Sequence, residues 1–190
     1  MNTAFIGLDY IIDIMHPEGK IARSAAHAAQ RDVISKANQA LAIAQEKGWL
    51  RVLVKVGFEP GYLAQPKQSP MFGRADQFGA LQLGERGTAF HPDLQVEPGC
   101  LTIVKPRVSA FYATALEAAL RANKIERLVI AGVSSSWAVQ STARDAHDRD
   151  YQVVIAEDAC AAVNEEEHQS SMKLLATIAH ITTVNDLKGL

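Results

Sequence analysis

The chain has 190 residues, 48% hydrophobic and 21% charged, with a formal charge of −2 at pH 7. That is the composition of one soluble domain long enough to bury a core, and it argues against a disordered or collagen-like chain. Nineteen Lys and Arg against twenty-one Asp and Glu, with no long basic run, leave no surplus charge for a phosphate backbone, so a nucleic-acid partner is not expected.

The chain opens on an apolar run, Ala4-Phe5-Ile6-Gly7-Leu8, with no basic leader or cleavable signal pattern. No apolar stretch approaches the roughly 18 residues of a membrane helix, so the expectation is a cytoplasmic protein without membrane contact. The two cysteines, Cys100 and Cys160, lie outside any CxxC pair and are expected to be free thiols.

Short strand-like runs then alternate with longer helical stretches, the pattern of crossover units on a parallel sheet. The strands are expected at Ala4 to Leu8, Arg51 to Val56, Cys100 to Val104, Arg127 to Ala131, Gln152 to Ala156 and, more weakly, His180 to Val184. All but the last are rich in Val, Ile or Leu and lack polar alternation, as buried parallel strands do.

Between the first two strands, Val33, Ala37, Ala40, Leu41 and Ala44 recur at helical spacing, and Gly48 after Lys47 is a stop signal. Further helices are expected at Ala110 to Ala122, Ser135 to His147 and Asn164 to Ala179. Asn164 and Glu167 have the spacing of a capping box at the start of the last one.

Residues Gly57 to Gly99 break this rhythm, holding seven of the twelve glycines and five of the seven prolines, with Phe58, Tyr62, Phe72, Phe78 and Phe90 interspersed. A connection of this length is a lid, a substrate-binding loop, a subunit contact or an aromatic-anchored structural loop. Its aromatics imply that it packs down.

There is no GxGxxG, Walker loop, HExxH or GxSxG. His16, His27, His91, His147, His168 and His180 are scattered without ligand spacing, so neither a metal nor another cofactor is expected. In an open parallel sheet, ligands bind beyond the carboxyl ends of the strands near the point where strand order reverses. Polar groups at three such ends stand out: Asp9 after the first strand, Lys105 with Arg107 after the third, and Gly132-Val133-Ser134-Ser135-Ser136-Trp137-Ala138 after the fourth. Singly these are caps and rim charges; together they set an acid, a base and a helix start at one end of one sheet.

The segment from Ala131 to Ala146 resembles the strand-to-helix signature of the isochorismatase-like cysteine hydrolases. Lys105-Pro106-Arg107-Val108-Ser109-Ala110-Phe111 is similar to that family's lysine motif, Asp9 matches its first-strand aspartate, and Glu157-Asp158-Ala159-Cys160 resembles its next strand end. The resemblance covers nearly the whole chain and implies one domain over residues 1–190, with a Rossmann-like three-layer α/β/α fold. Its six parallel strands would run in the order 3-2-1-4-5-6. It also implies a small-molecule substrate, a dimer or larger homo-oligomer, and a cis peptide near Val133 and Ser134 that would aim backbone amides into an oxyanion hole. In that strand order, Lys105 must lean across roughly 10 Å, two ladder spacings, to meet Asp9.

The family's nucleophilic cysteine would stand at position 138, where this chain has Ala138. A methyl group cannot attack a carbonyl, and no base is evident beside Ser134, Ser135 or Ser136. The second strand ends Val54-Lys55-Val56-Gly57-Phe58, without the Asp and His of the metal-binding nicotinamidase type.

Three explanations of Ala138 follow. The first is a thiol-independent hydrolase of a small anionic metabolite, such as the enol ether isochorismate, with Asp9 as general acid and Lys105 positioning it. The second is an amide or ureide hydrolase carrying an engineered Cys to Ala change; the third is a catalytically silent metabolite-binding protein or scaffold. Asp9, Lys105 and Ala138 are the catalytic positions of this reading. Tyr10, Arg107, Phe111, Val133, Ser134 and Trp137 are its candidate substrate contacts. Burial and the neighbouring ammonium push the Asp9 carboxyl in opposite directions, a competition left open by the sequence.

Overall fold

A computed structural model describes residues 1–190. Six strands form one parallel sheet: β1 (Thr3–Leu8), β2 (Leu50–Val56), β3 (Leu101–Lys105), β4 (Arg127–Gly132), β5 (Gln152–Ala156) and β6 (His180–Thr182), in the order β3-β2-β1-β4-β5-β6. The helices are α1 (Ile12–Met15), α2 (Ala25–Gln30), α3 (Val33–Glu46), α4 (Ala75–Phe78), α5 (Leu116–Ala122), α6 (Gln140–His147) and α7 (Glu165–Leu175). Crossovers progress outward from β1 to β3, then back through β4 to β6. Right-handed connections therefore put α3 on one face and α5 to α7 on the other, giving the expected three layers. Strand order reverses between β1 and β4, paired from Thr3↔Arg127 to Leu8↔Gly132.

The strands formed where uninterrupted apolar runs place them, because both sheet faces are covered: every residue of β1 is buried. On α3, Val33, Ala37, Ala40, Leu41 and Ala44 face the core, and Gly48 ends the helix with a φ of 66° while the Trp49 N–H returns to Ala44 O at 2.8 Å.

Several boundaries differ from expectation, among them α6, which begins at Gln140 and not at Ser135. Helix α5 begins at Leu116, not Ala110. Before it, the Ala110 N–H is taken by Thr142 Oγ1 at 3.1 Å, Ala113 adopts a φ of 52°, and Thr114 Oγ1 accepts the Leu116 N–H. Helix α7 ends at Leu175 in a run of turns, and β6 stops at Thr182. Asn164 Oδ1 does accept the Glu167 N–H at 2.9 Å, but the Glu167 carboxylate goes to the Ser136 hydroxyl and does not return to the cap. The short helices α1, α2 and α4 carry too few periodic positions to be read from sequence.

The long insertion packs down. Phe58, Tyr62 and Phe72 are buried in a satellite cluster with Ile11, Val56 and Leu81, and the Tyr62 hydroxyl donates to Ala80 O at 2.8 Å. Its inner edge is tied to α1 by the buried Asp13 carboxylate, which accepts the Leu81 N–H at 2.7 Å and the Lys20 N–H at 3.1 Å.

Candidate active site

Asp9 leaves β1 with a φ of 54°, a left-handed conformation that Asp tolerates better than most side chains. Its Oδ1 accepts the Val56 N–H at 2.7 Å and its Oδ2 lies 2.7 Å from Lys105 Nζ. Lys105 is the ladder partner of Val56, so carboxylate and ammonium meet over the end of β2, the strand between them. Lys105 Nζ also donates to Val108 O at 2.6 Å. The Lys105 and Asp9 side chains are only 1% and 5% exposed. Burial is the largest influence on the Asp9 carboxyl and pushes it above its ordinary range. The charge and hydrogen bond of Lys105 and the Val56 N–H pull the other way without prevailing.

A cavity of about 530 Å³ opens on this pair. The β4–α6 turn contributes Val133, Ser134, Trp137 and Ala138, the α1–α2 segment contributes Ile14, Ile21, Arg23 and Ser24, and the insertion contributes Met71, Phe72, Arg74, Phe78 and Leu81. The Val133–Ser134 peptide is cis, where the family resemblance puts such a bond. The Val133 N–H is committed to Leu8 O at 3.0 Å, whereas the Ser134 N–H donates to no acceptor within the chain. Ser135–Val139 form a π-helical turn leading into α6, and Ala138 presents its methyl to the cavity.

The structure thus brings together Asp9, Lys105, Val133, Ser134, Trp137 and Ala138. Tyr10, Phe111 and Arg107 stand elsewhere. Tyr10 follows the left-handed turn into the core and donates its hydroxyl to Ala159 O at 2.8 Å. Phe111 is buried against Tyr151, with Arg149 over its ring. Arg107 donates from Nη1 to Pro106 O at 2.6 Å and to Ala64 O at 2.9 Å, its guanidinium lies over the Tyr112 ring, and it does not line the cavity. Besides Lys105, the cavity's cations are Arg23 and Arg74, which are not readable as site residues, because neither segment carries a periodic pattern to show which side chains turn inward.

The serines need one correction. A base does stand beside Ser135: His168 Nδ1, supplied by α7, lies 2.7 Å from Ser135 Oγ. Both residues are fully buried, however, and neither lines the cavity. The cysteines are free, with burial pushing the Cys100 thiol up and the fully buried Cys160 thiol up to about 12, and neither faces the cavity. No group of three or more His, Cys, Asp or Glu side chains is arranged to hold a metal ion, and no helix is long and apolar enough to cross a membrane.

Residues 3–186 match the model of the isochorismatase domain. The isochorismatase family protein YecD of Escherichia coli O157:H7 is 32% identical over 160 residues, covering 82% of this chain and 81% of that protein. The ureidoacrylate amidohydrolase RutB of a Methylorubrum extorquens strain is 33% identical over 139 residues, 67% of this chain and 56% of its own length. The chain therefore spans a little over half of that enzyme. Among solved structures, a cysteine hydrolase from Pseudomonas syringae pv. phaseolicola superposes with a TM-score of 0.87 at 18% identity, covering 99% of this chain and 91% of that one. An isochorismatase-like hydrolase from Alkaliphilus metalliredigens gives 0.81 at 19% identity, covering 100% and 98%. At these identities the superpositions establish a shared fold.

Proposed function

The chain belongs to the isochorismatase family, and on that premise we propose that its residues 1–190 form one catalytic domain, a hydrolase of a small anionic metabolite that works without a covalent thiol intermediate. The observation that carries this reading is a single juxtaposition. A carboxyl whose acid form is favoured by burial sits in a cavity where the position expected for the nucleophile is Ala138.

Enol-ether hydrolysis fits such a site. Asp9 gives its proton to the vinyl carbon, which leaves an oxocarbenium ion; water adds to that cation and returns a proton to the carboxylate. The resulting hemiketal collapses to an alcohol and a ketone, so no covalent nucleophile is needed. Lys105 holds the Asp9 carboxyl in place, and Arg23 and Arg74 give the cavity the positive character that an anionic substrate requires. The exposed Met71, Phe78, Trp137 and Val163 around the same cavity support assembly into a homo-oligomer.

Incubation with isochorismate and measurement of pyruvate release tests the reading; absence of turnover with this and simpler enol ethers would overturn it. A silent scaffold fits less well, since the cavity is not filled by the chain's own side chains. The amidohydrolase RutB among the relatives favours a second reading, amide cleavage. An Ala138→Cys variant screened against ureides and small amides decides that one.

A further inference from the structure

Ser135 opens the π-helical turn that bears Trp137 and Ala138, directly after Ser134, but unlike those three it is fully buried and does not line the cavity. Its Oγ is 2.7 Å from His168 Nδ1, His168 Nε2 is 3.0 Å from Glu157 Oε2, and Arg31 Nη2 reaches that same oxygen at 2.6 Å. An ionised carboxylate only accepts, so Nε2 carries the ring proton. In the neutral ring Nδ1 then accepts from the Ser135 hydroxyl. The hydrogen bond from His168, with Arg31 adding to it, holds the Glu157 carboxyl below its ordinary range.

The backbone is pinned to the same neighbours. The Ser135 N–H donates to Ala161 O at 2.8 Å, and the Ser171 hydroxyl donates to Ser135 O at 2.8 Å. The Ser136 hydroxyl donates to the Glu167 carboxylate.

A serine, a histidine and an acid in this connectivity invite a nucleophilic reading, but a fully buried Oγ outside the cavity has no route to a substrate. We infer instead that Ser135, His168 and Glu157 form a positioning chain. It ties the π-helical turn to α7 and so fixes Ser134, Trp137 and Ala138 as a rigid wall against which the reacting end of the substrate is aligned. Its kinetic consequence rests on the proposed hydrolase reading; its geometric consequence does not.

The chain has two tryptophans, so a Trp49→Phe background leaves Trp137 as a reporter of the turn itself. In that background Ser135→Ala is expected to shift Trp137 emission and raise its quenching by acrylamide. With isochorismate, kcat is expected to fall about tenfold while KM stays within about twofold, because misplacement of the wall costs alignment more than binding. Ser135→Cys, which keeps a weak donor, recovers part of both signals. Should Ser135→Ala fold poorly, His168→Asn reads the same turn from the other partner. Unchanged Trp137 emission and quenching overturn the inference, as does a lowered Tm with intact kcat. If the parent protein does not turn over an enol ether, the fluorescence result alone decides.

Discussion

Lys105 Nζ lies 2.7 Å from Asp9 Oδ2 although β2 separates the strands that carry them. The contact exists because Asp9 turns back over the end of β2 with a positive φ, while the long lysine stem spans the remainder. Replacing Asp9 by Asn leaves one side-chain oxygen, which accepts from the Val56 N–H or from Lys105 but not from both as the two carboxylate oxygens do, and removes the transferable proton. Enol-ether turnover is expected to drop by about 10²- to 10⁴-fold, the usual contribution of a general acid, with unchanged far-ultraviolet circular dichroism. Retained turnover would take Asp9 out of the mechanism.

The same carboxyl sets a pH dependence. A general acid must hold its proton in the free enzyme, and burial has raised the Asp9 pKa above that of an ordinary carboxyl, about 3.9. The profile of kcat/KM is therefore expected to be flat on the acid side and to fall as pH rises through the raised pKa. A profile that climbs over that window would identify Asp9 as a base.

Lys105→Met removes the cation and leaves a buried carboxyl that can relieve its own charge by protonation. The cost at neutral pH is then about 1–3 kcal/mol, less than for an acid trapped in its charged form. The remaining acid has a folded pKa raised further. Its stabilising contribution is full below the unfolded value of about 3.9 and disappears as pH rises through the folded value. Denaturant melts of the variant should show a deficit that shrinks on acidification; a pH-independent deficit would mean that packing, not charge, is lost.

How much of this was legible in the chain follows from where each signal resides. The buried strands announce themselves by composition, and Asp9 and Lys105 by their place at strand ends, since one topological rule says where parallel sheets bind ligands. Arg23 and Arg74 were invisible because the segments carrying them take their shape from contacts remote in sequence, such as Asp13 with the Leu81 N–H. The base beside Ser135 was missed because it arrives from α7, 33 residues on. Tyr10 and Phe111 stand next to site motifs yet are buried in the core, since adjacency in sequence says nothing about which way an aromatic turns and apolar burial decides it.

Gly132 is where β1 and β4 come closest to the site. It adopts a φ of 152°, and a Cβ there would overlap Leu8 O, a backbone atom that cannot step aside without breaking its bond from the Val133 N–H. Gly132→Ala is therefore expected to destabilise by about 3 kcal/mol or more, combining an unfavourable backbone region with overpacking. Urea unfolding measures it, and a loss under about 1 kcal/mol would show that the strand ends can part.

Acid stability should be governed in part by Glu157. Its folded pKa is lowered, first by the hydrogen bond from His168 and then by Arg31. The stabilisation it supplies is therefore complete above the unfolded value of about 4.3 and is lost as pH falls through the folded one. Glu157→Gln still offers an amide oxygen to His168 but cannot be protonated in this range. At pH 7 the variant should melt about 2–4 °C lower, the equivalent of one hydrogen bond of about 1 kcal/mol in a chain of this size. Between pH 5 and pH 3, an interval of about two units around the unfolded pKa, its Tm should decline less steeply than that of the parent, so the two melting curves converge on acidification. Parallel declines would place the acid-labile contact elsewhere, with Glu165 the next to replace, since its carboxyl is held at about 2 by Gln169, His27 and Arg31.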